Sequence, residues 1–182
     1  MLLVSSHILA CGEIPLPEET VIRINMAWVP SLDHLRGQLD IISHPVWLDN
    51  PVGRQKPPAN KYELSDLVEI MKDYPQVKYF AVSNVEGPGD LVEANRAVPD
   101  GVSIVPKIET IRGVELFSVM LNALGGDRVV MLDHDDLFAD IVRNGGDPSD
   151  LYEKYVASLL NLCRGNNATL LRTQGVVFSD VS

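Results

Sequence analysis

The sequence predicts an α/β protein built on a parallel sheet, either doubly wound or closed as a (β/α) barrel. From about Thr20 onward, short β-branched runs alternate with stretches of helical periodicity, the pattern of strands joined by crossover helices. The runs are nearly continuously apolar, as in strands covered on both faces. Almost every run also ends in a polar group, and strand C-termini are where both architectures collect their chemistry.

In chain order the expected strands are Val21–Asn25, Val46–Asp49, Val77–Val82, Ser103–Glu109, Arg128–Leu132 and Thr169–Thr173. Leu2–Ala10 is a further strand ahead of them, which makes seven. Leu64, Leu67, Val68 and Met71 fall at i, i+3, i+4 and i+7 and mark one amphipathic helix. Val114, Phe117, Ser118 and Leu121 repeat that spacing with one polar exception, and Gly125-Gly126 closes this second helix. A third carries Leu151, Tyr155, Leu159 and Leu162; Asp147 is its N-cap and Pro148 its first helical residue.

Length and composition fit one such unit. The chain has 182 residues, 46% hydrophobic and 22% charged, with no low-complexity run long enough to be a linker, so a single domain spanning 1–182 is expected. Twenty-five acidic residues against 15 basic ones give a formal charge of −10, the wrong sign for neutralising nucleic-acid phosphates or an anionic membrane. Two cysteines, Cys11 and Cys163, have no metal-binding spacing and cannot frame a disulfide scaffold, which favours a cytoplasmic protein. No apolar stretch approaches the ~18 residues of a membrane span.

The chemistry is read from the strand ends. Arg23 with Asn25, and Lys107 with Glu109, are i, i+2 pairs, so each pair projects to one face of its strand. Asp49 and Asn50 follow the third run, Ser83 the fourth, and Asp133, Asp135 and Asp136 the sixth. Glu109 with one of these aspartates is the usual provision for Mg²⁺, which takes one or two carboxylates and leaves other positions to water and substrate. Lys107 and Arg23 add the positive charge that an enolate or a transferring phosphoryl group needs. The arrangement points to metal-assisted chemistry on a small carboxylate or phosphate compound. An exposed ion pair at 107/109 and a solvated, capping turn at 133–136 are the plainer alternatives. Trp28 and Trp47 are expected to pack in the core.

In this order the motifs resemble the catalytic domain of pyruvate kinase. Arg23-Ile24-Asn25 is similar to that family's R-x-N strand, although Met26-Ala27-Trp28 replaces its Ser-His-Gly. Asp49 through Arg54 resembles D-T-x-G-P-x-I-R, and Phe80 through Asn84 resembles I-A-x-S-F with Asn for Phe. Pro106-Lys107-Ile108-Glu109 matches K-I-E, Met131–Leu137 resembles M-V-A-R-G-D-L, and Leu171-Arg172-Thr173-Gln174 resembles A-T-Q. The resemblance implies a compact or incomplete (β/α)8 TIM barrel of the phosphoenolpyruvate/pyruvate type. It makes Glu109 and Asp136 ligands of Mg²⁺ or Mn²⁺, with Lys107, Arg23 and His134 catalytic. Asn25, Asp49, Arg54, Ser83 and Thr173 become substrate-binding residues, Asp49 also at a monovalent-cation position. A second similarity is to Mg²⁺-dependent 2-keto-acid aldolases and citrate-lyase-β-type enzymes, through Ile108-Glu109-Thr110 with Gly113 and through Asp135-Asp136-Leu137-Phe138-Ala139-Asp140.

Only about six residues, Gln55–Asn60, stand where the kinases insert a lid domain. Aldol or lyase chemistry through an enolate is therefore expected ahead of phosphoryl transfer; a vestigial phosphotransferase and a catalytically silent binding homologue are the alternatives. A full barrel takes about 250 residues, so a second copy or another chain is expected to cover an open edge.

Overall fold

The computed structural model describes residues 1–11, 15–53, 57–125 and 127–172. Seven parallel strands lie side by side in chain order: β1 (Leu2–Ser5), β2 (Thr20–Asn25), β3 (Val46–Asn50), β4 (Val77–Val82), β5 (Ser103–Ile108), β6 (Val129–Leu132) and β7 (Thr169–Arg172). The helices are α1 (Leu32–Ile41), α2 (Leu64–Asp73), α3 (Val92–Ala97), α4 (Ile111–Glu115), α5 (Phe117–Ala123), α6 (His134–Arg143) and α7 (Pro148–Gly165). The sheet is a curled half-barrel.

Alternation along each strand divides the core in two. Ile22, Ile24, Leu48, Phe80, Ile108, Val130 and Leu132 point outward and pack against the helices, forming the larger cluster. Val21, Trp47, Ala81, Val105, Val129 and Met131, from five strands, form a smaller cluster on the concave face. Trp47 is fully buried there, its ring 5.7 Å from that of Tyr79, whereas Trp28 is largely exposed. Both faces of the middle strands are covered, which is why β3 and β6 are buried at every residue.

Three departures from the sequence reading have local causes. The run Leu2–Ala10 is a strand only to Ser5; Ser5 Oγ bonds to His7 Nδ1 at 3.2 Å, and Ser6–Cys11 form a 3₁₀ turn. The second expected helix is two short ones, α4 and α5, broken at Leu116. The helices α1, α3 and α6 were not among the expected ones, although Leu35 with Leu39 on α1 and Leu137 with Ile141 on α6 are buried at helical spacing. α7 begins as read, with Asp147 Oδ1 accepting from Ser149 N at 2.9 Å and Pro148 in the first turn.

The compact or incomplete (β/α)8 barrel expected from the sequence is, among the described residues, a seven-stranded parallel half-barrel, and a TIM barrel is not seen. β1 and β7 stand at the two edges of the sheet, and both are half exposed. No helix among the described residues is long and apolar enough to cross a membrane.

Candidate functional site

The concave face turns polar at the strand C-termini without changing its alternation. Above the apolar layer of Val21, Trp47, Ala81, Val105 and Met131 come Arg23, Asn25, Asp49, Ser83, Lys107, Glu109 and Asp133, each an even number of residues further along. These residues, Asp49 excepted, line one cavity of about 150 Å³ together with Pro51, Gly53, Asn84, Thr110, Asp136 and Arg143.

Lys107 is 4% exposed, and Pro106 sets its place. Proline has no N–H to donate, and the β5–β6 ladder begins directly after it, with Lys107↔Met131 and Ile108↔Leu132. The Lys107 ammonium lies 2.8 Å from Glu109 Oε1 and 3.5 Å from Asp49 Oδ1, and donates to Ser83 Oγ at 3.0 Å. Burial pushes its pKa down, but the Asp49 and Glu109 carboxylates outweigh that and hold it above the ordinary lysine value. Lys107 is therefore a charged lysine inside the fold.

Asp49 has no exposed surface and lies below the cavity wall. Its Oδ2 accepts from Arg23 Nε at 2.9 Å and from Arg23 Nη2. It thus orients two cations at once, and it reaches the substrate space only through them. Removing one member of such a buried pair leaves the other uncompensated, typically at a cost of about 3–5 kcal/mol.

Glu109 is as buried as Lys107. Its Oε2 accepts from the backbone N–H of Asn84 at 2.6 Å, and Asn84 Nδ2 donates to Val52 O at 2.7 Å. Asn84 has a φ of 54°, left-handed backbone that asparagine tolerates better than most residues. That geometry explains why Asn stands at this strand end. Burial raises the Glu109 pKa against the downward pull of Lys107, with the charge of Asp133 adding to the rise.

Glu109, Asp133 and Asp136 each bring one carboxylate oxygen within 4.8 Å of the others. Asp133 is the N-cap of α6, its Oδ1 accepting from Asp136 N at 3.3 Å, while Asp135 is exposed. Three hard oxygen donors on two adjacent strand ends suit Mg²⁺ or Mn²⁺, and Asp133 joins the pair read from the sequence.

The other sequence-selected residues divide. Asn25 lines the cavity and caps the 3₁₀ turn Met26–Trp28, its Oδ1 accepting from Ala27 N at 3.0 Å. Ser83 lines it beside Lys107. His134 does not: it opens α6 with its Nδ1 against the Tyr152 hydroxyl, and burial with nearby Arg172 lowers its pKa. Arg54 and Thr173 lie outside the described residues. Burial pushes the Cys163 thiol up to about 11, which leaves it unreactive.

Thr110, Asp140 and Arg143 gained no role from the sequence. Thr110 caps α4, its Oγ1 accepting from Gly113 N at 3.0 Å. Asp140 joins α6 to α4 through Ile111 N at 2.9 Å. Arg143 is seven residues beyond Asp136 on the same helix, and that i, i+7 spacing was the signal available in the sequence.

No protein-family model and no curated protein matches the sequence. The chain is similar to the crystal structure of RipC from Yersinia pestis, with a TM-score of 0.62 and 18% identity, covering 88% of this chain and 73% of that one. At that identity the likeness is one of fold. These comparisons correct the resemblance to pyruvate kinase, for which they give no support. The motifs that carried it run from three to eight residues, and most are matched at only two or three of them. Any site built at the ends of parallel strands draws on the same lysines, carboxylates and amides, so such motifs are weak marks of family.

Proposed function

We propose that this chain is a Mg²⁺-dependent lyase of the aldolase kind, acting on a pyruvate-type 2-oxo acid through its enolate. The observation that carries the reading is one small cavity in which the carboxylate cluster Glu109, Asp133 and Asp136 meets two cations, the buried Lys107 and the half-buried Arg23. Glu109, Asp133 and Asp136 would hold Mg²⁺, which when bound would supply Lewis-acid polarisation of the 2-oxo group. Lys107, held charged by Asp49 and Glu109, and Arg23, held in place by Asp49, set positive charge where the enolate oxygen develops it. Asn25 and Ser83 offer the polar contacts that orient a small carboxylate.

In the cleavage direction the C3–C4 bond of a 4-hydroxy-2-oxo acid breaks and its electron pair stays with C3 as the enolate. The C4 hydroxyl proton goes to water as the aldehyde forms, and C3 then takes a proton from water to give the 2-oxo acid. No oxidant, reductant or nucleotide is needed, in keeping with a cavity of about 150 Å³.

Oxalate, planar and doubly anionic like the pyruvate enolate, tests the reading by calorimetry. With Mg²⁺ present it is expected to bind at least about a hundredfold more tightly than pyruvate, and without Mg²⁺ not measurably. Equal affinity for the two acids, or oxalate binding indifferent to Mg²⁺, would count against an enolate site.

A further inference from the structure

The cavity holds three cationic side chains, and they are not equivalent. Arg23 is committed through two nitrogens to Asp49, and Lys107 to Glu109, Asp49 and Ser83. Arg143 is different: its side chain is 70% exposed, and its ion pair is with Asp140, a single Nη1 contact of 3.3 Å to Oδ1. A guanidinium has five N–H donors in a rigid fork, so this contact leaves an edge suited to bidentate binding of a carboxylate.

Its placement aims that edge at the cavity. Arg143 ends α6, three residues after Asp140 and seven after Asp136, on the stripe that begins at the Asp133 cap. Helical side chains lean toward the N-terminus, which carries the guanidinium back along this stripe toward Asp136. Asp140 is a fixed anchor for it: 8% exposed, with Oδ2 held by the Ile111 N–H at the start of α4. A charge-favoured residue at a helix C-terminus would have no need to line the cavity, and Arg143 does line it.

From this we infer that Arg143 is a specificity residue for a second carboxylate, at the end of the substrate remote from the 2-oxo group, so that the preferred ligands are 2-oxo dicarboxylates. The inference rests on the 2-oxo acid reading above. Beside three cavity carboxylates, a distal carboxylate is repelled unless a cation with free donors meets it, and Arg143 has that property.

The test compares 2-oxoglutarate with 2-oxopentanoate, which match in chain length and differ in the distal carboxylate, by calorimetry with Mg²⁺ and without any requirement for turnover. The intact protein is expected to favour the diacid by about tenfold or more. Arg143→Gln, a good helix former at a largely exposed position, should bring that ratio to within about twofold by weakening the diacid far more than 2-oxopentanoate; Arg143→Lys should recover part of the preference. Equal affinities in the intact protein, or a ratio untouched by Arg143→Gln, overturn the inference and leave the 2-oxo acid site standing. Failure of both acids to bind overturns the site reading and this inference together.

Discussion

Glu109 shows most clearly how one side chain joins structure to chemistry. It neutralises Lys107, anchors the turn at Asn84 and completes the carboxylate cluster. Its raised pKa has a consequence for metal binding. A cation must displace the proton, so affinity falls as pH drops through that raised value, sooner than for ordinary carboxylates. Mg²⁺ titrations from about pH 5 to about pH 8 should show affinity rising with pH and protons released at the acid end. Glu109→Gln should weaken Mg²⁺ at least about tenfold and flatten the profile; an unchanged profile in that variant would remove Glu109 from the metal site. The facing of Lys107 and Glu109 could be read from the sequence because a strand has a period of two. The burial of Asp49 beneath both cations could not, since it depends on how neighbouring strands register.

Among the elements, α4 is the joint between the two halves of the site. It follows Glu109 directly, is capped by Thr110, and is tied to α6 by Asp140. Gly113 lets it sit close: a Cβ there would lie 2.7 Å from Val85 O, and that backbone follows the turn whose Asn84 N–H holds Glu109. Helix propensity alone favours alanine over glycine by about 1 kcal/mol, so the sign of the effect is informative. Gly113→Ala is expected to destabilise by about 1–3 kcal/mol in denaturant unfolding and to weaken Mg²⁺ binding as Glu109 shifts. A neutral or stabilised variant would mean that the close approach is not needed. The glycine-bearing helix after Ile108-Glu109-Thr110 was visible in the sequence. The α6 stripe was legible only in part: Asp136 was read as a metal ligand, whereas Asp140 and Arg143, though spaced four and seven residues beyond it, gained no role until the helix placed them on its side.

At the scale of the molecule, the seven strands were countable from apolar runs, and their order follows from crossovers that place each strand beside the last. The described sheet is a half-barrel whose edges are β1 and β7. Family was not legible, because strand-end motifs report shared geometry more than shared descent. What the whole fold does is bring residues from β2, β3, β5 and α6 to one polar mouth above an apolar interior. The central claim is that this mouth stabilises an enolate. Proton NMR of pyruvate in deuterated buffer tests it most directly, by following the methyl signal with protein and Mg²⁺. Mg²⁺-dependent loss of that signal well above the rate with Mg²⁺ alone, abolished by Glu109→Gln, is the predicted result; methyl exchange no faster than in protein-free Mg²⁺ buffer would contradict it.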